Sequence, residues 1–239
     1  MEGELLHKQR KILLFMSKRM FESELYDSSL GYMKQAIDMD SRMTQKQRIF
    51  FLNLVQAIVN PIRNNLKHLK ENIAKEIPDR KNRTNDAIKG IIGSQYDLLK
   101  VLCQDVLSII DQQLIPGCTG IEDRVDLLRL QGDLYRYVSE FAPETQKRFF
   151  TSRADSVYSM AYDIAKTELT PHSLCRLSLV MNRSIFLADI MHKHTDAVLF
   201  AESEVSMLMG ENVELSEASY QKAMVFARKL GNKIIQWKE

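Results

Sequence analysis

The stretch Leu128-Arg129-Leu130-Gln131-Gly132-Asp133-Leu134-Tyr135-Arg136-Tyr137 carries two periodicities at once. In a segment running from about 120 to 141, Leu127, Leu128, Leu134, Tyr135 and Val138 recur at helical spacing and supply an apolar face. Arg129, Asp133 and Arg136 line another, the two arginines lying two turns apart on one side. Gly132 lies between them and removes a side chain from the intervening turn, which leaves space for something bound. A solvated helix face with an i,i+4 ion pair between Arg129 and Asp133 fits the same residues. Spacing alone leaves both readings open.

Outward from that segment, proline, glycine and polar clusters separate long stretches whose apolar residues recur every three or four positions, and about nine helices are predicted. The first runs from about Leu5 to Glu24 and gives way at Tyr26-Asp27-Ser28-Ser29 to a short helix through Met39. Thr44 is the expected N-cap of a long helix reaching toward Lys75. Residues 77–84 are polar, charged and marked by Pro78, which predicts a loop ending one half of the protein. A second long helix follows from Asn85 to Gln113, with Ile88, Ile92, Leu99, Leu102, Val106, Ile109 and Ile110 as its stripe, closed by Leu114-Ile115-Pro116-Gly117. Further helices are expected near 145–168, 172–192, 195–209 and 216–237, with breaks at Pro143, Pro171, His192 to His194 and Gly210. Such long helices point to stacked antiparallel hairpins. A tetratricopeptide array is suggested by Tyr26 to Ile37 and Asp196 to Met207, but no steady 34-residue period accompanies them.

Composition agrees with an all-α chain, because the 239 residues hold only 9 glycines and 5 prolines. That length fits one large domain or two small ones. The 33 basic and 31 acidic residues are mixed along the chain and leave a net charge of +2, so no nucleic-acid partner is expected. Cys103, Cys118 and Cys175 are odd in number and far apart, which argues against a disulfide framework and fits a reducing, cytoplasmic setting. The first apolar run, Ile12 to Met16, is short and flanked by Lys and Arg, so neither a signal peptide nor a membrane span is expected.

The quoted stretch closely resembles the fifth helix of the 14-3-3 family. Tyr26-Asp27 with Met33-Lys34, Cys103-Gln104-Asp105-Val106-Leu107-Ser108, Leu114-Ile115-Pro116, Pro171, Arg176, Met181-Asn182-Arg183-Ser184-Ile185-Phe186, Ser216-Glu217-Ala218-Ser219-Tyr220 and Trp237 match that family in order and spacing. The resemblance implies a single 14-3-3-like domain over 1–239, with about nine antiparallel helices stacked as a curved, cup-like bundle around a concave groove. Residues 1–76 would include the dimerisation region and 85–239 the remaining helices with the ligand groove. It also implies a non-enzymatic adaptor, without cofactor or metal, whose partners are phosphorylated client proteins. A helical scaffold with weakened phosphate dependence is the alternative, and an RNA-binding helical repeat is disfavoured by the balanced charge.

Carried over position by position, the resemblance assigns phosphate binding to Arg63, Arg136 and Tyr137, with Arg129 at the neighbouring basic position. Guanidinium forks suit a phosphate's three acceptor oxygens and its roughly 1.5 to 2 negative charges. Left empty, such a pocket would hold mutually repelling cations and would accept an anion readily. The groove would further include Gln56, Lys67, Asn182, Asp189, Phe226, Lys229, Lys233 and Trp237. Asn182 matches an asparagine that bonds the ligand's backbone, and shares a helix face with Ser178, Ile185 and Asp189. Asn182 in a purely structural network is the plainer reading.

Three departures stand out. Gln56 replaces a lysine, and Pro61 lies between it and Arg63, where it removes a helical hydrogen bond and can kink the helix. Lys222, Phe226, Lys229, Lys233 and Trp237 form a row where the family's wall is largely apolar. Either this groove favours acidic residues around the phosphosite, or the lysines point outward. Leu25 and Leu98, with Ser28 and Ser94, replace both ends of charged pairs between subunits, which implies a homodimer with an altered apolar interface, or a monomer. His192 and His194 are two apart and cannot share a helix face, so no metal site is expected there. No phosphate-binding glycine loop, nucleophile elbow or paired zinc-ligand motif is present.

Overall fold

Nine α-helices and no strand occur among the residues that the structure, a computed structural model, describes: 2–75, 83–210 and 216–238, with only the backbone described for Glu2, 72–75 and 83–85. They are α1 (Glu2–Glu22), α2 (Tyr26–Met39), α3 (Gln45–Lys75), α4 (Arg83–Ile109), α5 (Ile121–Ser139), α6 (Glu144–Glu168), α7 (Leu174–Ile185), α8 (His194–Gly210) and α9 (Glu217–Lys238). The all-α expectation holds, and the predicted helices match in order. Of the loop predicted at 77–84, residues 77–82 lie outside the described residues, while Arg83 and Thr84 already belong to α4.

Local chemistry explains several ends. Thr44 caps α3 as expected: its Oγ1 accepts from Gln47 N at 3.3 Å, and Gln47 Oε1 accepts from Thr44 N at 3.0 Å, a reciprocal capping box. Helix α1 closes with Glu24 in the left-handed region at φ 60°, where Leu25 N reaches back to Met20 O at 2.8 Å. Helix α4 continues into a π turn, Ile110–Leu114, in which Ile110 and Leu114 are both buried. A second π turn, Phe186–Ile190, extends α7, and two residues beyond it the φ of 56° at His192 marks the break expected at 192–194.

The chain forms two compact units, Met1–Cys118 and Thr119–Glu239. The boundary therefore falls after α4, not in the 77–84 stretch, because α4 packs on α3. In the first unit each helix packs on the next, around Met33, Ile37, Phe51, Leu54, Leu66, Leu99 and Ile110. Helices α1 and α2 meet through two small polar residues: Ser17 Oγ donates to Ser29 O at 2.8 Å and Ser29 Oγ to Ser17 O at 2.7 Å. In the second unit α7 is the centre, packing against α5, α6, α8 and α9. Arg176 of α7 forms a two-pronged buried ion pair with Glu204 of α8, at 3.0 and 3.1 Å, and Tyr162 of α6 donates to the same carboxylate at 2.6 Å.

Candidate functional site

Helix α5 is buried from Val125 to Ser139 except at Tyr135, so its polar residues do not form a solvated face. The Arg129–Asp133 pair anticipated from spacing exists, at 3.2 Å, but deep inside the unit. Asp133 is fully buried and collects four donors from three helices. Its Oδ2 accepts from Arg129 Nη1 and, at 2.9 Å, from Asn182 Nδ2 of α7. Its Oδ1 accepts from Arg136 Nη2 at 3.3 Å and from the Tyr158 hydroxyl of α6 at 2.5 Å. Tyr158 in turn accepts from Arg136 Nε at 3.3 Å. A carboxylate stripped of water is tolerable only when its lone pairs are met in this way.

Further charges complete the cluster. Asp126 lies 3.5 Å from Arg129, Glu140 lies 3.4 Å from Arg136, and the Arg136 guanidinium stacks 4.7 Å over the Tyr137 ring. Burial opposes the charge on both arginines, yet their neighbours outweigh it. Asp133 and Asp126 hold Arg129 above its ordinary value, while Tyr158, Asp133, Tyr137 and Glu140 hold Arg136 well above. The expectation that the pocket's cations repel one another when it is empty is corrected for Arg129 and Arg136, since both pair with Asp133, which stands between them. Each guanidinium carries five N–H donors, more than these contacts use, and Arg129 Nε is buried without a partner. The arrangement is two permanently charged forks, oriented by carboxylates, with donor capacity left over.

The vacancy expected at Gly132 is also corrected. A Cβ there would meet the Tyr158 ring at 2.6 Å, so the missing side chain admits a protein aromatic, not a ligand.

Two further helices of this unit carry residues expected in the groove. On α7, Ser178, Asn182 and Ile185 are half-buried, and Asp189 is exposed in the π turn, where the helical register is no longer that of a plain α-helix. On α9, Ala223, Ala227, Leu230 and Ile234 face the core. Phe226 and Trp237 are half-buried at its edge, Phe226 against the cluster of Leu177, Leu208, Ala223 and Ala227, Trp237 against that of Val180, Val198, Ala201, Leu230 and Ile234. Beyond them lie Lys222 and Lys229, exposed, and Lys233, half-exposed.

In the first unit, Gln56, Arg63 and Lys67 share one face of α3, which runs unbroken through Pro61. Arg63 is half-buried near Cys103, whose thiol is pushed up to about 12 by burial against the opposing pull of Arg63. Pro61 is exposed and lines a groove of 490 Å³ with Leu25, Ser28, Leu98 and Leu102. Leu25 and Leu98 are 53% and 51% exposed. Ser94 is exposed on the same face of α4, its hydroxyl donating to Ile91 O at 2.9 Å.

The 14-3-3 family model matches residues 16–238. The chain belongs to the 14-3-3 family. It is 29% identical over 231 residues to the 14-3-3-like protein GF14 iota of Arabidopsis thaliana, covering 96% of this chain and 86% of that one. It is 25% identical over 230 residues to the human 14-3-3 protein eta, covering 95% and 94%. It is also 25% identical over 230 residues to 14-3-3 protein 3 of Entamoeba histolytica, covering 96% of each. With these relatives, this 14-3-3 chain is a divergent member, and its role is that of an adaptor for client proteins. Among the described residues no helix is long and apolar enough to cross a membrane.

Sequence reasoning missed Tyr158, the residue that pins both Asp133 and Arg136. A signal was available: a glycine inside a buried helix calls for a bulky neighbour at close approach. On α6, Ala154, Tyr158, Ala161 and Ala165 are all fully buried, a small-residue stripe with one large member that fits against Gly132. The Glu204 partner of Arg176 left no comparable trace, since it lies 28 residues away on another helix.

Proposed function

We propose that this 14-3-3 chain grips phosphoserine or phosphothreonine in cytoplasmic client proteins through Arg136, Tyr137 and Arg129. The observation that carries this reading is the Asp133 centre, which fixes two guanidinium groups and Asn182 in one place. Pre-orientation matters because a free arginine loses much of its binding energy to ordering, whereas a braced one spends it on the phosphate. Asn182 donates to Asp133 through Nδ2, and its amide oxygen then serves the N–H of a bound main chain. Arg63 and Gln56, on α3, are assigned on the resemblance, Gln56 donating without charge. Gln56 in place of a cation lowers affinity without abolishing it.

The exposed leucines of the first unit support a homodimer. Ile91, Leu98 and Val101 form an exposed apolar row on one face of α4, beside the groove that holds Leu25. Burying such surface in a symmetric contact replaces ion pairs by apolar area. Sedimentation at micromolar concentration is expected to give a dimer, and a monomer for Leu98→Lys; a wild-type monomer sinks this part.

The test of phosphate recognition is titration of one labelled peptide with and without its phosphate, at two salt concentrations. Charge-assisted bonds contribute about 1.5 to 3 kcal/mol each, so Arg136→Ala and Arg63→Ala should each weaken the phosphopeptide by well over tenfold. Equal affinity for both peptide forms would overturn the reading and leave a phosphate-independent scaffold.

A further inference from the structure

Cations are distributed unevenly in the second unit. Arg129 and Arg136 of α5 are met by Asp126, Asp133 and Glu140, whereas α9 carries five basic residues, Lys222, Arg228, Lys229, Lys233 and Lys238, against one acidic residue, Glu217. Among the described residues the ion pair that α9 forms is Lys238 with Glu202 of α8, at 2.6 Å. Lys229 lies 5.9 Å over the Phe226 ring, so its charge is held at the wall without being cancelled.

The direction of the row follows from its neighbours. Helix α8 packs on one side of the α7 and α9 pair, through Arg176–Glu204 and Lys238–Glu202. On α9, Lys222, Lys229 and Lys233 fall on the far side from Lys238 at helical spacing, and on α7, Ser178 and Ile185 fall on the far side from Arg176. Both sets therefore lie on the same side of the pair, the side to which Asn182 and the Asp133 cluster adjoin.

Resting on the phosphopeptide reading above, we propose that Lys229 and Lys233, with Lys222 at the end of the row, select ligands carrying acidic side chains beside the phosphorylated residue. Geometry sharpens the class. Lysines four apart on a helix are about 6 Å apart, and same-side residues of an extended chain are about 6.6 Å apart, so the acids belong at alternate positions. From Lys222 to Lys233 the row is about 16 Å long, which matches roughly five extended residues.

The test uses the full chain and labelled peptides of one length sharing one phosphoserine centre, with Glu at alternate flanking positions or with Gln there, each with and without phosphate. For the wild-type protein the acidic phosphopeptide should bind about fivefold tighter than the neutral one at low salt, the sum of two exposed charge pairs, and the ratio should shrink as salt rises. In Lys229→Glu/Lys233→Glu the ratio should invert, while circular dichroism of this surface variant stays that of a folded helical protein. Equal affinity for acidic and neutral phosphopeptides, or a ratio unmoved by the double substitution, overturns the proposal while leaving phosphate recognition intact. Loss of any difference between phosphorylated and unphosphorylated peptides overturns the underlying reading instead. Tighter binding of a single-stranded oligonucleotide than of the acidic phosphopeptide at the same salt overturns the proposal, because the row would then be a nucleic-acid contact.

Discussion

Helices α5 and α9 both present cations, and they treat them in opposite ways. On α5 Arg129 and Arg136 are buried, paired with carboxylates and braced by side chains from α6 and α7. On α9 the lysines lie in or near solvent, and among the described residues no ion pair engages Lys222, Lys229 or Lys233. Buried charge is costly unless fully paired, and once paired it is fixed in position; exposed charge is cheap, adjustable and screened by salt. The first suits a function that every ligand needs, the second a preference that varies.

The sharpest way to break this contrast is Asp133→Ala. It leaves two buried arginines short of their shared counter-charge and Asn182 and Tyr158 without their acceptor, and should cost about 3 to 5 kcal/mol in urea unfolding. A loss below 1 kcal/mol would show that the cluster relaxes like a surface network. Next, Gly132→Ala drives a methyl into the Tyr158 ring, which cannot retreat because its hydroxyl is tied to Asp133. Overpacking costs about 1 to 3 kcal/mol, offset in part by up to about 1 kcal/mol of better helix propensity. A higher unfolding midpoint than wild type would contradict the packing described for this site.

A smaller effect separates the two helices by pH. Burial, reinforced by Asp133, pushes the Tyr158 hydroxyl well above the ordinary tyrosine range. Its contribution is thus fully present below the unfolded value near 10 and is lost as pH rises through the folded value, because the unfolded chain releases the proton first. Stability should fall more steeply above pH 10 in wild type than in Tyr158→Phe, compared by denaturant midpoints at pH 8 and 10.5. Smallest of all, Lys229→Gln should leave stability within about 0.5 kcal/mol of wild type, since the side chain is exposed and pairs with no carboxylate among the described residues. A larger change would mean that this lysine braces the fold, as the α5 arginines do.

Much of this was legible in one dimension. The helices, their breaks and the Thr44 cap follow from local rules, because a helix satisfies its own backbone and announces its buried face by period. The Arg129–Asp133 pair was legible for the same reason, four residues being one turn. The meaning of Gly132 was misread, since a missing side chain records that something approaches but not what. Burial of the polar face of α5 was likewise hidden: charged residues at helical spacing look alike whether water or protein faces them. Leu25 and Leu98 were legible as a paired change, because a charged pair that changes at both ends leaves its mark at two places in the chain; the structure adds that both are exposed.

What the amino-acid order determined by itself is an all-α chain of the 14-3-3 family, its helix boundaries and the cationic excess of α9, all properties carried by neighbours within a few turns. Only the tertiary structure decided that Tyr158 fills the space beside Gly132, that Asp133 gathers donors from three helices, and that Arg176 meets Glu204. These partners lie 25, 49 and 28 residues apart in the pairs Asp133–Tyr158, Asp133–Asn182 and Arg176–Glu204, and no local period selects them. They are chosen when packing removes water, and a buried charge must take whichever counter-charge the neighbouring helix brings within reach.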